Sequence, residues 1–196
     1  MIDRLEANRL LAARLTDELV VAGLGNATFD LFATRDRGRN YYTWGSMGVA
    51  VSVGLGLALA RPRERVLVLE GDGALLMGLS GLVSIGRLAP KNLVCVVWDN
   101  QRLGLTGGQT SATATTTDLA AVARAVGFAQ SARTETLEEF RQALEQAFAE
   151  PGPAFIAARV GGEASGIRPP RRAAATTYRF MRAAGTLPPG AEMSWD

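Results

Sequence analysis

The sequence contains no histidine. Imidazole-based triads, His-ligated metals and histidine acid–base catalysis are therefore closed to this chain. It contains one cysteine, Cys95, inside the apolar run NLVCVVW. A single thiol excludes an intrachain disulfide, and it excludes a Cys-ligated zinc or iron–sulfur site built by this chain alone. In that setting Cys95 reads as a small buried hydrophobe. Lysine occurs once, at Lys91, so the isoelectric point of about 9.1 is set by arginine. No basic stripe with interleaved aromatics accompanies it, and no nucleic-acid partner is expected. Arg171 and Arg172 read as part of a solvated tail, with a weak anion site as the alternative. No apolar run is long enough to span a bilayer; VAVSVGLGLALA is too short and too rich in glycine. The first residues, MIDRLEANRLLAARL, carry acids and no apolar h-region, so they do not read as a signal peptide. The expected location is the cytoplasm, without a membrane partner.

What is present is a globular composition. Of the 196 residues, 47% are apolar and 20% charged, which suits one domain with a real core. Apolar positions at helical spacing mark residues 3–15. ELVVAGLG reads as a buried strand, ATFDLFATR as a helix, NYYTW as a short strand and VAVSVGLGLALA as a close-packing helix. RVLVLE and NLVCVVWDN are apolar throughout, as strands buried on both faces are. ALLMGLSGLVSIGRL between them reads as one helix. DLAAVARAVG is a helix stopped by Gly127. TLEEFRQALEQAFAE is an amphipathic helix whose Thr136 and Glu139 have capping-box spacing. PAFIAARV is the last strand. Residues 1–160 form the expected domain. Residues 161–196, rich in Gly, Pro, Arg and Ala, read as an extended tail with at most one helical turn near TTYRFMRAAG.

Apolar strands alternating with helices predict an α/β fold: a parallel sheet in three layers, with helices on both faces. Such sheets bind ligands beyond the carboxyl ends of their strands. The polar signatures fall at those ends: GLGNAT, WGSMG, EGDGA and WDNQRLGLTGGQ. Gly71 and Gly73 allow a tight turn and close ligand approach. Asp72 only accepts hydrogen bonds and cannot hold a phosphate by itself. A carboxylate beside a phosphate-binding turn makes sense if a hard cation lies between them, and the Asn100 amide oxygen would suit as a second ligand. The competing reading is an ordinary G-x-G turn, with Asn100 closing another turn. The dinucleotide fingerprint is absent, because Leu76 occupies its third glycine position, and so is a P-loop.

GDG at 71–73 followed by DN at 99–100 resembles the cofactor motif of thiamine diphosphate-dependent enzymes, a GDG followed by NN. Asp99 stands where many of those enzymes have the first Asn. The resemblance implies Mg2+ bound by the Asp72 and Asn100 side chains and the Arg102 backbone carbonyl. It implies diphosphate contacts from the Gly73 and Ala74 N–H groups after the Gly71 turn, and from the Asn26 and Thr28 side chains. GSMG resembles the segment holding the aminopyrimidine. The Gly45 carbonyl would accept from its 4′-amino group, with Ser46 alongside and Met47 beneath the bent cofactor; otherwise Met47 reads as core. Leu105 and Gln109 of LTGGQT would lie near the thiazolium and the substrate, unless this is a Gly-rich surface loop. The segments VLEGDGALLMGLSGL, KNLVCVVWDN and TGGQTS together look like sulfopyruvate decarboxylase β subunits and the C-terminal part of phosphonopyruvate decarboxylases. That likeness implies a lyase that releases CO2 from a small anionic 2-oxo acid.

Thiamine catalysis in this family also needs a glutamate at the pyrimidine ring, supplied by a second kind of domain. Glu18 and Glu70 lie on predicted strands but in no matching motif, and both read as structural. The chain resembles only the diphosphate-binding half. The resemblance therefore implies a hetero-oligomer, inactive without a pyrimidine-binding α subunit. Alternatives are the β subunit of a 2-oxo acid:acceptor oxidoreductase, an acetolactate synthase-like carboligase, or a non-catalytic regulatory paralogue.

Overall fold

The computed structural model describes residues 1–187 and 190. The strands are β1 (Ile2–Asp3), β2 (Leu19–Ala22), β3 (Asn40–Tyr42), β4 (Val66–Gly71), β5 (Leu93–Asp99), β6 (Arg102–Leu103), β7 (Gln109–Thr110), β8 (Gln130–Thr134) and β9 (Ala154–Gly161). The helices are α1 (Arg4–Arg14), α2 (Asn26–Arg35), α3 (Ala50–Ala60), α4 (Asp72–Met77), α5 (Ser80–Leu88), α6 (Leu119–Ala125), α7 (Leu137–Ala149) and α8 (Ala173–Ala183).

The main sheet is parallel, in the order β3-β2-β4-β5-β9. β8 and the short β1 also pair with β9. Alternate residues of each strand face opposite cores, as a pleated strand requires. Val20, Leu67, Leu69, Val94 and Val96 pack against α1, α2 and α7. Leu19, Val21, Val66, Val68, Leu93, Cys95 and Val97 pack against α3, α4, α5 and α6. This is the expected three-layer α/β arrangement. Cys95 is fully buried, and burial pushes its thiol up to about 12. The capping box closes α7: Thr136 Oγ1 accepts from Glu139 N–H and Glu139 Oε2 from Thr136 N–H, both at 3.2 Å.

Strands β1, β6, β7 and β8 were not anticipated, and two helical segments differ from expectation. The single helix anticipated from Ala74 to Leu88 is two, α4 and α5, broken at Gly78. There the backbone of Gly48 comes so close that a side chain on either glycine would overlap the other's backbone. Gly48 also has φ +79°, a conformation that favours glycine. The C-terminal segment holds a helix of 11 residues, α8, rather than one turn. It packs on the β3 side, with the Phe180 and Tyr41 rings 5.5 Å apart. Arg61 and Arg39 donate to the carbonyls of Ala184 (2.8 Å) and Ala183 (3.1 Å) at its end. Arg171 and Arg172 are exposed, in keeping with a solvated segment.

β2 connects to β3 on one side and the chain then returns to place β4 on the other. The order in which the chain adds strands thus reverses between β2 and β4, where a crevice opens at the carboxyl ends of the strands.

Candidate active site

That crevice is lined by Asn26, Met47, Gly71, Asp72, Gly73, Ala74, Asn100, Arg102 and Leu105, all singled out in the sequence, and by Gly25 of the GLGNAT motif. Arg4, Trp98 and Leu103 also line it and had no sequence signal of their own. Arg4 was hidden in an ordinary helix start. Its guanidinium is buried against Asp30, 2.7 Å from Nε to Oδ2. Asp30 is itself raised by burial, and the Ser165 N–H and Arg4 counter that rise. Trp98 was hidden in the apolar run of β5; it stacks obliquely on Phe140 with ring centroids 5.4 Å apart.

Four residues named from the sequence do not line the crevice. Thr28 is buried and its hydroxyl is spent inside the fold, donating to the Gly23 carbonyl at 2.7 Å. Gly45 and Ser46 sit in the exposed turn before Met47, with Ser46 at φ +63°. Gln109 is exposed on β7, and its Oε1 accepts from the Thr106 hydroxyl at 3.0 Å.

Asp72 begins α4, directly after β4, and is 1% exposed. Ser111 Oγ donates to its Oδ2, and Thr113 Oγ1 lies 2.9 Å from the same oxygen. Burial raises its pKa and the neighbouring Asp99 carboxylate raises it further, against the two hydroxyls. No Arg or Lys pairs with Asp72 among the described residues, whereas Asp99 has Arg159 at 3.7 Å. Asn100 ends β5. Its Oδ1 accepts from Arg102 N–H at 3.1 Å, so the turn-closing role is real. A carboxamide oxygen has a second lone pair and can still bind a cation. Gln101, between them, has φ +60°, which reverses the chain into the β6–β7 hairpin. Leu103 of that hairpin lies over Gly73 and Leu105 over Gly25. The Asn26 and Asn100 side chains both flank Gly104 of the hairpin.

The two other acids separate cleanly. Glu18 precedes β2 at the opposite end of the sheet and accepts the Thr16 N–H at 2.6 Å. Glu70 is on β4, 1% exposed, packed against Gly23 and accepting Gly71 N–H at 3.0 Å. Burial pushes its pKa up to about 7, against help from the Gly71 and Ala50 N–H groups. A folded-state pKa above the unfolded value means that protonation favours the fold. Stability from this group is therefore complete below about pH 4.5 and is lost as pH rises through 7. In metal-free buffer, Glu70→Gln should remove that pH dependence. Relative to wild type the variant should gain up to about 3 kcal/mol between pH 5 and 8. Urea unfolding at the two pH values checks this; an unchanged difference would show that Glu70 is not titrating.

The donor set fits a cation-bound diphosphate. Asp72 is a buried carboxylate without a cationic partner, and such a charge is costly unless compensated. Beside it, Gly25 precedes α2, whose first turn has no side-chain cap and leaves N–H groups at the crevice. Among the described residues no cluster of three or more His, Cys, Asp or Glu side chains could hold a metal. A cation here would need oxygens from Asn100, the backbone and the phosphates as well, as Mg2+ commonly does.

Comparison with known proteins identifies the family. Residues 23–158 match the thiamine pyrophosphate enzyme C-terminal TPP-binding domain. The chain is 43% identical over 155 residues to sulfopyruvate decarboxylase subunit beta of Methanothermobacter thermautotrophicus, covering 79% of this chain and 80% of that one. It is 38% identical over 182 residues to phosphonopyruvate decarboxylase of Streptomyces viridochromogenes, covering 92% of this chain and 45% of that one. Benzoylformate decarboxylase from Polynucleobacter necessarius shares the fold, with TM-score 0.64 and 21% identity over 83% of this chain and 34% of its own. The chain therefore spans about a third of that solved structure. No helix among the described residues is long and apolar enough to cross a membrane. A TPP-domain match over most of the chain, and a relative of similar length at this identity, place the protein among the thiamine diphosphate-dependent enzymes.

Proposed function

We propose that this chain is the diphosphate-binding subunit of a Mg2+- and thiamine diphosphate-dependent decarboxylase acting on a small anionic 2-oxo acid. The observation that carries the reading is the unpaired, buried Asp72 carboxylate at the floor of a crevice shared with Asn100 and the uncapped start of α2. Similarity to sulfopyruvate and phosphonopyruvate decarboxylases supports the substrate class.

Asp72, Asn100 and the Arg102 carbonyl would hold Mg2+, and Gly73, Ala74, Asn26 and the start of α2 would take the diphosphate oxygens. Bound thiamine diphosphate supplies the electron sink for cleaving the carboxylate from the 2-oxo acid. The chain's own contribution is binding and orientation. Leu103 and Leu105 shield the diphosphate end from water, and Met47 supports the cofactor from one side of the crevice. The Gly45 carbonyl, in the turn leading to Met47, would accept from the aminopyrimidine. Met47→Ala should therefore lower turnover about 10-fold or more while changing cofactor affinity little, since positioning acts on the reacting geometry. Steady-state kinetics with a cofactor titration checks this, and wild-type turnover would return Met47 to the role of filler.

The substrate reading is tested by assembling the chain with a pyrimidine-binding subunit and supplying Mg2+, thiamine diphosphate and a set of 2-oxo acids. CO2 and an aldehyde should form from sulfopyruvate or phosphonopyruvate faster than from pyruvate. Turnover that requires a low-potential electron acceptor, or a second 2-oxo acid, would replace this reading with an oxidoreductase or a carboligase.

A further inference from the structure

Two hydroxyl residues stand behind Asp72, and the reading above gives them no work. Ser111 and Thr113 are each 6% exposed. Ser111 Oγ and Thr113 Oγ1 converge on the same oxygen of Asp72, Oδ2. They lie 2.7 Å from each other, and Thr113 Oγ1 is also 2.7 Å from Asp99 Oδ1. Each hydroxyl carries one proton. Asp99 also accepts the Gln101 N–H at 3.1 Å and has Arg159 at 3.7 Å, whereas Asp72 has no cationic partner among the described residues. The hydroxyls orient Asp72 without neutralising it. Both hydroxyls hold Oδ2, and no side chain among the described residues hydrogen-bonds to Oδ1.

The same residues anchor the cover of the crevice. Ser111 follows β7, and its N–H donates to the Gln101 carbonyl at 2.9 Å, closing the base of the β6–β7 hairpin. One leg of that hairpin starts at Asn100 and Arg102. The other leg ends on Asp72 through Ser111 and Thr113. A cation between Asp72 and Asn100 would therefore sit between the two roots of the hairpin whose Leu103 and Leu105 cover Gly73 and Gly25.

We propose that Ser111 and Thr113 are positioning residues for the divalent cation. They hold Asp72 by Oδ2 so that Oδ1 meets the ion, and they tie the hairpin to the same point. This rests on the metal–diphosphate reading of the crevice. It adds that a hydroxyl at 111 and at 113 is needed for cation affinity, not for the diphosphate contacts.

The test uses the full chain assembled with its pyrimidine-binding subunit, with tryptophan fluorescence or calorimetry reporting thiamine diphosphate binding as Mg2+ is titrated. Trp98, in the lining of the crevice, makes fluorescence suitable. Thr113→Val keeps the shape and removes the hydroxyl. It should raise the Mg2+ concentration for half-saturation by about 10- to 100-fold, the range for groups that orient metal ligands. Ser111→Ala should act in the same direction. Thr113→Ser restores the hydroxyl and should return the Mg2+ requirement to within about 2-fold of wild type. At saturating Mg2+ both loss variants should bind thiamine diphosphate nearly as wild type does. A purely structural role would instead weaken cofactor binding at every Mg2+ level, with Thr113→Ser giving no selective rescue, and would overturn the proposal. A wild-type Mg2+ requirement in Thr113→Val would also overturn it while leaving the metal–diphosphate reading in place. Absence of Mg2+-dependent binding in wild type would overturn both.

Discussion

Asp72→Ala is expected to abolish Mg2+-dependent binding of thiamine diphosphate while leaving the fold intact. The two halves of that expectation have the same cause. Asp72 is buried at the end of β4 with hydroxyls and a second carboxylate for neighbours and no cation. Its charge is a cost to the empty fold, because burial is compensated only by hydrogen bonds. Removing it should leave the metal-free melting temperature unchanged or raised. A hard cation, in contrast, loses its only anionic side-chain ligand in the crevice lining. Cofactor affinity in the presence of Mg2+ should fall by more than about 100-fold, beyond the loss typical of groups behind a metal ligand. Calorimetry with and without a chelator, together with a thermal melt of the same sample, measures both halves. Unchanged affinity would remove Asp72 from the cation site. A collapsed melting temperature would show that the carboxylate serves the fold.

The second large effect is catalytic silence of the chain by itself. Activation of the thiamine ring needs a carboxylate that can reach it, and the described residues offer none in the right place. Asp72 is the only acid lining the crevice. Glu18 lies at the other end of the sheet and accepts from its own turn. Glu70 is packed beneath Gly23 and bonded to Gly71 N–H. The rim also leaves apolar surface in water: Leu105 is 50% exposed. A partner subunit that covers this rim would bring the missing carboxylate with it. CO2 release from sulfopyruvate or phosphonopyruvate by the chain without its partner should therefore be at least about 100-fold below that of the assembled enzyme, the usual loss when a positioned proton-transfer group is absent. Release by the chain alone at the assembled rate would mean that it supplies its own activating group.

Some parts of the architecture were open to reading in one dimension because one physical cause dominates each. β4 and β5 are buried on both faces, so their residues are apolar without a break and no other element competes for the pattern. α7 carries both its apolar stripe and its capping box in consecutive residues. β8 was not legible for the opposite reason. QSART sits at the sheet margin beside β9 and faces partly to solvent, so it has no apolar run to announce it. The break between α4 and α5 was illegible because its cause is remote. Nothing near Gly78 in sequence signals that the Gly48 backbone will press against it.

For the site, the sequence alone determined its place. Gly71, Asp72 and Gly73 after one buried strand and Asn100 after the next put a carboxylate and an amide at adjacent strand ends, because parallel strands all deliver their last residues to one edge. The absence of histidine determined as firmly that no imidazole of this chain takes part. Which side chains are free to act was decided only in three dimensions. Thr28 lies in the polar signature but spends its hydroxyl on the Gly23 carbonyl. Gln109 turns to Thr106 in an exposed hairpin. Arg4, far away in sequence, joins the crevice because α1 lies beside α2 and brings it to Asp30. Ser111 and Thr113 reach Asp72 across about forty residues because the β6–β7 hairpin folds back over the end of β4. The position of each strand along the chain is written in local apolar patterns, whereas a hydrogen-bond partner is chosen by whatever the packed chain places within about 3 Å.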